Sequence, residues 1–141
     1  MRIERKILNE IINCMPAVPP EAGGIIGGRA GLVCLWEYDA GRPEKGCVYR
    51  PNVDVMNGII AEWIEQDYDF MGIVHVHFGG VSTLSEGDIR YIEKIMKAMP
   101  GCMAQLYFPI VVQPNRLMAS YIACVNEAGD LTIVKDKIEV I

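Results

Sequence analysis

The segment Phe70-Met-Gly-Ile-Val-His-Val-His77 constrains the fold of this chain more than any other. It is mostly apolar and rich in β-branched residues, and it reads as a buried strand. Its neighbours in sequence have helical spacing. Residues 53–67 place Met56, Ile59, Ile60 and Trp63 on one face with acidic residues opposite, and residues 86–99 align Ile89, Ile92, Met96 and Met99. Residues 2–15 form a third amphipathic segment, with Ile3, Ile7, Ile11 and Cys14 in one stripe, ended by Pro16, Pro19 and Pro20.

Further strands complete the pattern. The run Gly24-Ile-Ile-Gly-Gly28 is strand-like but loosened by glycine, which points to a close backbone approach or a bulge. Residues 31–38 predict a second strand and, past a loop at 40–43, residues 46–50 a short third. Residues 103–112, 117–125 and 131–135 predict antiparallel strands, with turns at 113–115 and 126–130. The order helix, strands, helix, strand, helix, strands predicts one domain over residues 1–141. Its class is α/β or α+β, a mixed sheet with helices packed against it.

Composition narrows the function classes. With 51% hydrophobic and 22% charged residues, 141 residues can build a core without disulfide staples. A net charge of -5 argues against nucleic acid as the main partner. The five cysteines (Cys14, Cys34, Cys47, Cys102 and Cys124) include no C-x-x-C, which removes zinc ribbons and redox dithiols. They read as buried thiols in a reducing compartment. The N-terminal stretch mixes charges with apolar residues, unlike a signal peptide, and no run approaches the ~20 apolar residues of a spanning helix. A cytoplasmic protein with no membrane partner is expected.

The chain has two histidines, both in the apolar strand, at i and i+2. Such side chains leave the same face of a strand, with α-carbons roughly 6.6 Å apart at ~3.3 Å per residue, so two imidazoles can meet one metal ion. A hydrogen-bonded pair in a polar pocket fits an isolated H-x-H equally. Downstream, Ser85-Glu-Gly-Asp88 opens a helix, where S-x-x-D is also a capping pattern. The two uses are compatible. A capping serine accepts through its oxygen and keeps its proton to donate, and a carboxylate in the first helical turn is favoured as the anion a ligand must be. Two imidazoles and one carboxylate with a fourth position open is the catalytic rather than the structural pattern for zinc. Glu21, after the prolines and at the head of the Gly-rich strand, is a candidate for moving a proton; it also fits an ordinary loop glutamate.

His75-Val-His77 followed by Ser85-x-x-Asp88 resembles the JAMM signature of the JAB/MPN metallopeptidases. Glu21, Gly24, Ile26 and Gly28 resemble, in order, that family's upstream strand E-x-x-G-x-hydrophobic-x-G. The resemblance implies a curved mixed sheet flanked by helices, a cytidine deaminase-like architecture. It implies zinc held by His75, His77 and Asp88. Glu21 would take the proton of the attacking water and pass it to the leaving amine, while Ser85 would donate to the developing oxyanion. One position departs: Phe78 stands where the family has proline. Phe78 would then either wall the cleft or pack into the core.

The resemblance further implies an amide-cleaving peptidase or isopeptidase of compact prokaryotic type. Its substrate would be a peptide or small protein, such as the tail of a ubiquitin-like or sulfur-carrier protein. A homodimer is compatible with this reading. A non-catalytic JAB-type scaffold in a protein assembly is the alternative. A nucleic-acid role, known for one JAB-containing protein, is disfavoured by the acidic charge.

Overall fold

The computed structural model describes residues 1–42, 48–99 and 105–141. In chain order the elements are β1 (Arg2–Ile3), α1 (Arg5–Cys14), β2 (Gly23–Arg29), β3 (Leu32–Asp39), α2 (Val53–Glu65), β4 (Asp69–His77), α3 (Glu86–Ala98), β5 (Gln105–Tyr107), β6 (Ile110–Val112), β7 (Leu117–Val125), β8 (Leu131–Asp136) and β9 (Glu139–Val140). All strands join one mixed sheet. From one edge it runs β9, β1, β3, β2, β4; β5 and β6 both lie parallel to β4, β7 pairs with both, and β8 pairs with β7. The chain is an α+β domain with helices on both faces of this sheet.

The period of two along the strands decides which helix covers which side chain. Val74 and Val76 of β4, with Ile26 and Val33, meet Ile7, Ile11 and Met15 beneath α1. Ile73 of β4 and Ile25 of β2 face the other way, onto Met56 of α2 and Ile92 and Met96 of α3. His75 and His77 share the parity of Ile73 and therefore emerge on the α2 and α3 side. Each buried aliphatic chain contributes about 1.5–3 kcal/mol through area removed from water, so β4 is held tightly from both faces.

The glycines of β2 serve both uses expected of them. A register shift falls between Gly27 and Gly28 against β3, and another between Ile26 and Gly27 against β4. At Gly27 a Cβ would stand 2.6 Å from the Trp63 ring of α2, so only glycine admits the indole against the sheet.

Several expectations need correction. The first helix starts at Arg5, because Arg2 and Ile3 pair in parallel with β3 and β9. Cys14 is exposed: Ile7, Ile11 and Met15 are spaced by four along α1 and occupy its buried stripe, which turns Cys14 outward. Cys34 and Cys124 are partly exposed, so the described thiols are not buried; Cys47 and Cys102 lie outside the described residues. The short strand expected at 46–50 falls partly outside them too, and its described part, 48–50, is not a strand. The single strand expected over 103–112 is two, β5 and β6, separated by Phe108 and Pro109, with 103 and 104 outside the described residues. Ile89 is 38% exposed and borders a shallow groove with Leu84 and Tyr121, leaving Ile92 and Met96 to anchor α3. Among the described residues, no helix is long and apolar enough to cross a membrane.

Candidate metal centre

His75 and His77 stand on an interior strand of the sheet. β4 pairs with β2 on one side, where Gly23 faces His75, and with β6 on the other, where Ile110 faces His75 and Val112 faces His77. The His75 N–H donates to the Pro109 carbonyl, and the His77 carbonyl accepts from the Gln113 N–H. Both side chains are buried, and their rings meet edge to face with centroids 4.6 Å apart.

The third group arrives on α3. Ser85 is the N-cap, and with Asp88 it closes a full capping box. The Ser85 Oγ accepts from the Asp88 N–H at 3.1 Å, and Asp88 Oδ2 accepts from the Ser85 N–H at 2.7 Å. This fixes the carboxylate rotamer at the start of the helix. Asp88 Oδ2 lies 3.1 Å from His77 Nε2, and Oδ1 lies 3.3 Å from His75 Nε2. The two Nε2 atoms are 2.9 Å apart.

This donor set fits a metal ion. Two ligand atoms bound to a tetrahedral zinc at ~2.0–2.1 Å stand ~3.3 Å apart, close to the three spacings seen. His75, His77 and Asp88 form the one cluster among the described residues whose ligand atoms all lie within 4.8 Å of one another.

The electrostatics show how strongly the three groups couple. Burial pushes the Asp88 carboxyl up, but hydrogen bonds from His75 and His77, the charge of His75 and the Ser85 backbone hold it far below the ordinary carboxylate range. His77 is shifted the other way. Burial lowers its pKa, yet the Asp88 hydrogen bond and charge, and the charge of Glu21, together leave it raised.

Glu21 reaches this site through strand register. Gly23 pairs with His75 and the Val76 N–H donates to the Ala22 carbonyl, so Glu21 leads into β2 beside the His77 end of β4, where its charge acts on His77. One carboxylate oxygen of Glu21 accepts from the Tyr49 N–H at 3.1 Å. Tyr49 belongs to the segment between β3 and α2, and its ring lies over Gly23, where a Cβ would come within 2.4 Å of it.

Asp39, which the sequence did not single out, organises that segment. It is 7% exposed and accepts from the Gly41 N–H at 3.0 Å, the Tyr49 hydroxyl at 2.8 Å and the Asn52 N–H at 2.9 Å. Burial, with the hydrogen bond to Asp39, drives the Tyr49 phenol far above its ordinary pKa and keeps it a donor. The signal available in sequence was an acidic residue at the end of an apolar strand, which is too common to mark a role. Phe78 packs against the core beneath α1 and does not line the cleft.

A cleft of about 510 Å³ opens beside His75 and Asp88, walled by Ile73, Phe108, Pro51 and Tyr91. Burial and the nearby Asp39 charge push the Tyr91 phenol up to about 12.

No protein-family model matches this sequence, and no curated protein matches it. Solved structures do. The solution structure of a Desulfitobacterium hafniense protein aligns over 99% of this chain and 91% of its own, with TM-score 0.64 and 17% identity. The crystal structure of a JAB1/MPN domain protein from Archaeoglobus fulgidus aligns over 100% of this chain and 99% of its own, with TM-score 0.54 and 19% identity. The chain therefore has an MPN-like fold.

Proposed function

We propose that this protein is a metal-dependent hydrolase of the JAMM type that cleaves an amide bond in a peptide or small protein. The observation that carries the reading is the convergence of His75, His77 and Asp88 beside an open cleft, with Glu21 near enough for its charge to act on His77. His75 and His77 would hold the ion through Nε2, and Asp88 through its carboxylate. A zinc ion there would polarise the amide carbonyl and lower the pKa of the attacking water toward ~7.

The remaining chemistry belongs to the chain's own side chains. Glu21 accepts the proton of the attacking water and returns it to the departing amine, one group acting as base and then as acid. The Tyr49 N–H fixes one of its oxygens and leaves the other for the proton. Ser85 uses its oxygen as the helix cap and keeps its hydroxyl proton to donate to the oxyanion that forms as the carbonyl is attacked. The buried strand positions and the capping box hold these groups in place before substrate arrives, so little reorganisation is needed. The tail of a ubiquitin-like or sulfur-carrier protein is a substrate of suitable form, being narrow and flexible enough for the cleft. We place the protein in the cytoplasm, with no nucleic-acid or membrane partner.

Replacing Glu21 by Gln tests this directly. The variant should bind zinc as the native protein does and cleave peptide amides and C-terminal extensions of a sulfur-carrier protein ~10²–10⁴-fold more slowly. Loss of zinc together with activity would mean that Glu21 is not the proton carrier. Stoichiometric zinc with no hydrolysis by the native protein would favour the non-catalytic scaffold.

A further inference from the structure

Residues 78–85 join the two halves of the metal centre. They leave β4 after His77 and reach the N-cap of α3 at Ser85, just ahead of Asp88. The connection has no regular structure, and Gly79 and Gly80 take the left-handed backbone that favours glycine, at φ 69° and 74°. Such a segment does not by its own geometry fix how far Asp88 stands from the imidazoles. The helix does not fix it alone either. The buried anchors of α3 are Ile92 and Met96, about one and two turns past Asp88. Ser85, Glu86, Gly87 and Ile89 are exposed. The ligand therefore sits in an end turn, the part of a helix that frays first. The capping box joins Ser85 to Asp88 within that turn and moves with it.

What ties this end of the helix to the sheet comes from β7 and the turn before it. The buried Gln113 donates its N–H to the His77 carbonyl and accepts from the Gly80 N–H, both at 2.9 Å. Tyr121 of β7 donates its hydroxyl to the Ser82 carbonyl at 3.0 Å. The Val81 backbone, between these two points, lies beside the His77 ring. Leu84 packs against the α3-side core, as the Tyr121 ring does. Tyr121 is itself held in place. Its carbonyl accepts from the Phe108 N–H at 2.8 Å, and it pairs with Lys135 of β8. The hydroxyl is thus a fixed point on an interior strand, aimed at the segment that delivers Ser85 and Asp88.

We propose that Tyr121 is a positioning residue of the metal centre. Its hydroxyl pins the connection at Ser82 and so holds the first turn of α3, with Ser85 and Asp88, at ligand distance from His75 and His77. The inference rests on the metal centre described above. Whether the loaded site hydrolyses amides is a separate reading.

The test is Tyr121→Phe in the full chain, which removes the hydroxyl and keeps the packed ring. Tyr107→Phe removes a hydroxyl that meets Gln105 instead, and serves as the control. Both variants should melt within ~4 °C of the native protein, since the half-buried Ser82 carbonyl can take a water. In the metal-free Tyr121→Phe protein, amide hydrogen exchange should be about 10-fold faster over residues 80–88 and unchanged over β4. Its zinc affinity, read by competition with a chelator, should fall about 10-fold, while Tyr107→Phe binds as the native protein does. Native zinc affinity in Tyr121→Phe would overturn the proposal, and so would an equal loss in Tyr107→Phe. Faster exchange throughout the sheet with a much lower melt would also overturn it, because the hydroxyl would then serve the fold and not the site. Weakened zinc binding in Tyr121→Phe, with no hydrolysis by the native zinc-loaded protein, would sink the hydrolase reading and leave the positioning role standing. Hydrolysis with zinc affinity unchanged by the substitution would do the reverse.

Discussion

Asp39 offers the sharpest perturbation, because the consequence differs between two substitutions that look alike. Its carboxylate is buried and takes three donors: the Gly41 N–H on Oδ1, and the Tyr49 hydroxyl and Asn52 N–H on Oδ2. A hydrogen bond to a charged group contributes about 1.5–3 kcal/mol, so three set a ceiling near ~9 kcal/mol. Gly41 and Asn52 are only half-buried and can rehydrate, which brings the expected loss for Asp39→Ala to about 3–5 kcal/mol. Asp39→Asn retains one carbonyl oxygen. Its amide nitrogen then faces either the Tyr49 and Asn52 donors or the Gly41 donor. The tyrosine hydroxyl can turn and accept, but a backbone N–H cannot, so one bond is lost in either orientation. The expected cost is about 1–3 kcal/mol. Denaturant unfolding followed by circular dichroism measures both. Turnover should fall in step, since the Tyr49 N–H that anchors Glu21 belongs to the segment Asp39 holds. An Asn variant within ~0.5 kcal/mol of the native protein, or an Ala variant no worse than Asn, would refute this reasoning.

Ser85 is assigned two tasks that substitution can separate. Ser85→Ala should cost ~1 kcal/mol of stability by removing the cap; Ser85→Asp should restore the cap but not hydrolysis, expected ~10²-fold below native. If Ser85→Asp hydrolyses as the native protein does, the oxyanion role is wrong. The metal-free and zinc-bound forms should also respond oppositely to pH. In the metal-free form the raised His77 pKa contributes stability that is complete below its unfolded value of ~6.5 and lost as pH rises through the folded one. The depressed Asp88 pKa contributes above ~3.9 and is lost only as pH falls through its low folded value. Stability from the pair should thus fall above neutrality, whereas the gain from zinc should rise there, because the ion needs deprotonated imidazoles. Thermal melts from about pH 5 to about pH 8, with chelator and with zinc, measure both, and parallel profiles would contradict the assignment.

The sequence revealed the site better than it revealed what holds the site. His75, His77 and Asp88 were legible because strand parity and the first turn of a capped helix are local rules, and the structure brings all three together. Glu21 was legible only through its likeness to a strand motif; its approach to His77 depends on the pairing of β2 with β4, which no local pattern specifies. Asp39 and Tyr49 were missed for that reason, since their partnership is made across a loop. Short strands such as β1 and β9 escaped because two residues carry no period, and β5 and β6 read as one because periodicity does not mark a break at Phe108 and Pro109. Phe78, left between cleft and core by sequence, is settled by packing beneath α1.

The central claim is that two imidazoles and one carboxylate share a single ion. Titrating the chelator-stripped protein with cobalt(II), a spectroscopic stand-in for zinc, and following its visible absorption tests this most directly. One equivalent should bind with the intense bands of a four-coordinate site, zinc should displace it, and His77→Ala should abolish both. A protein that takes up no stoichiometric metal, or a His77→Ala variant that binds as tightly as the native chain, would contradict the account.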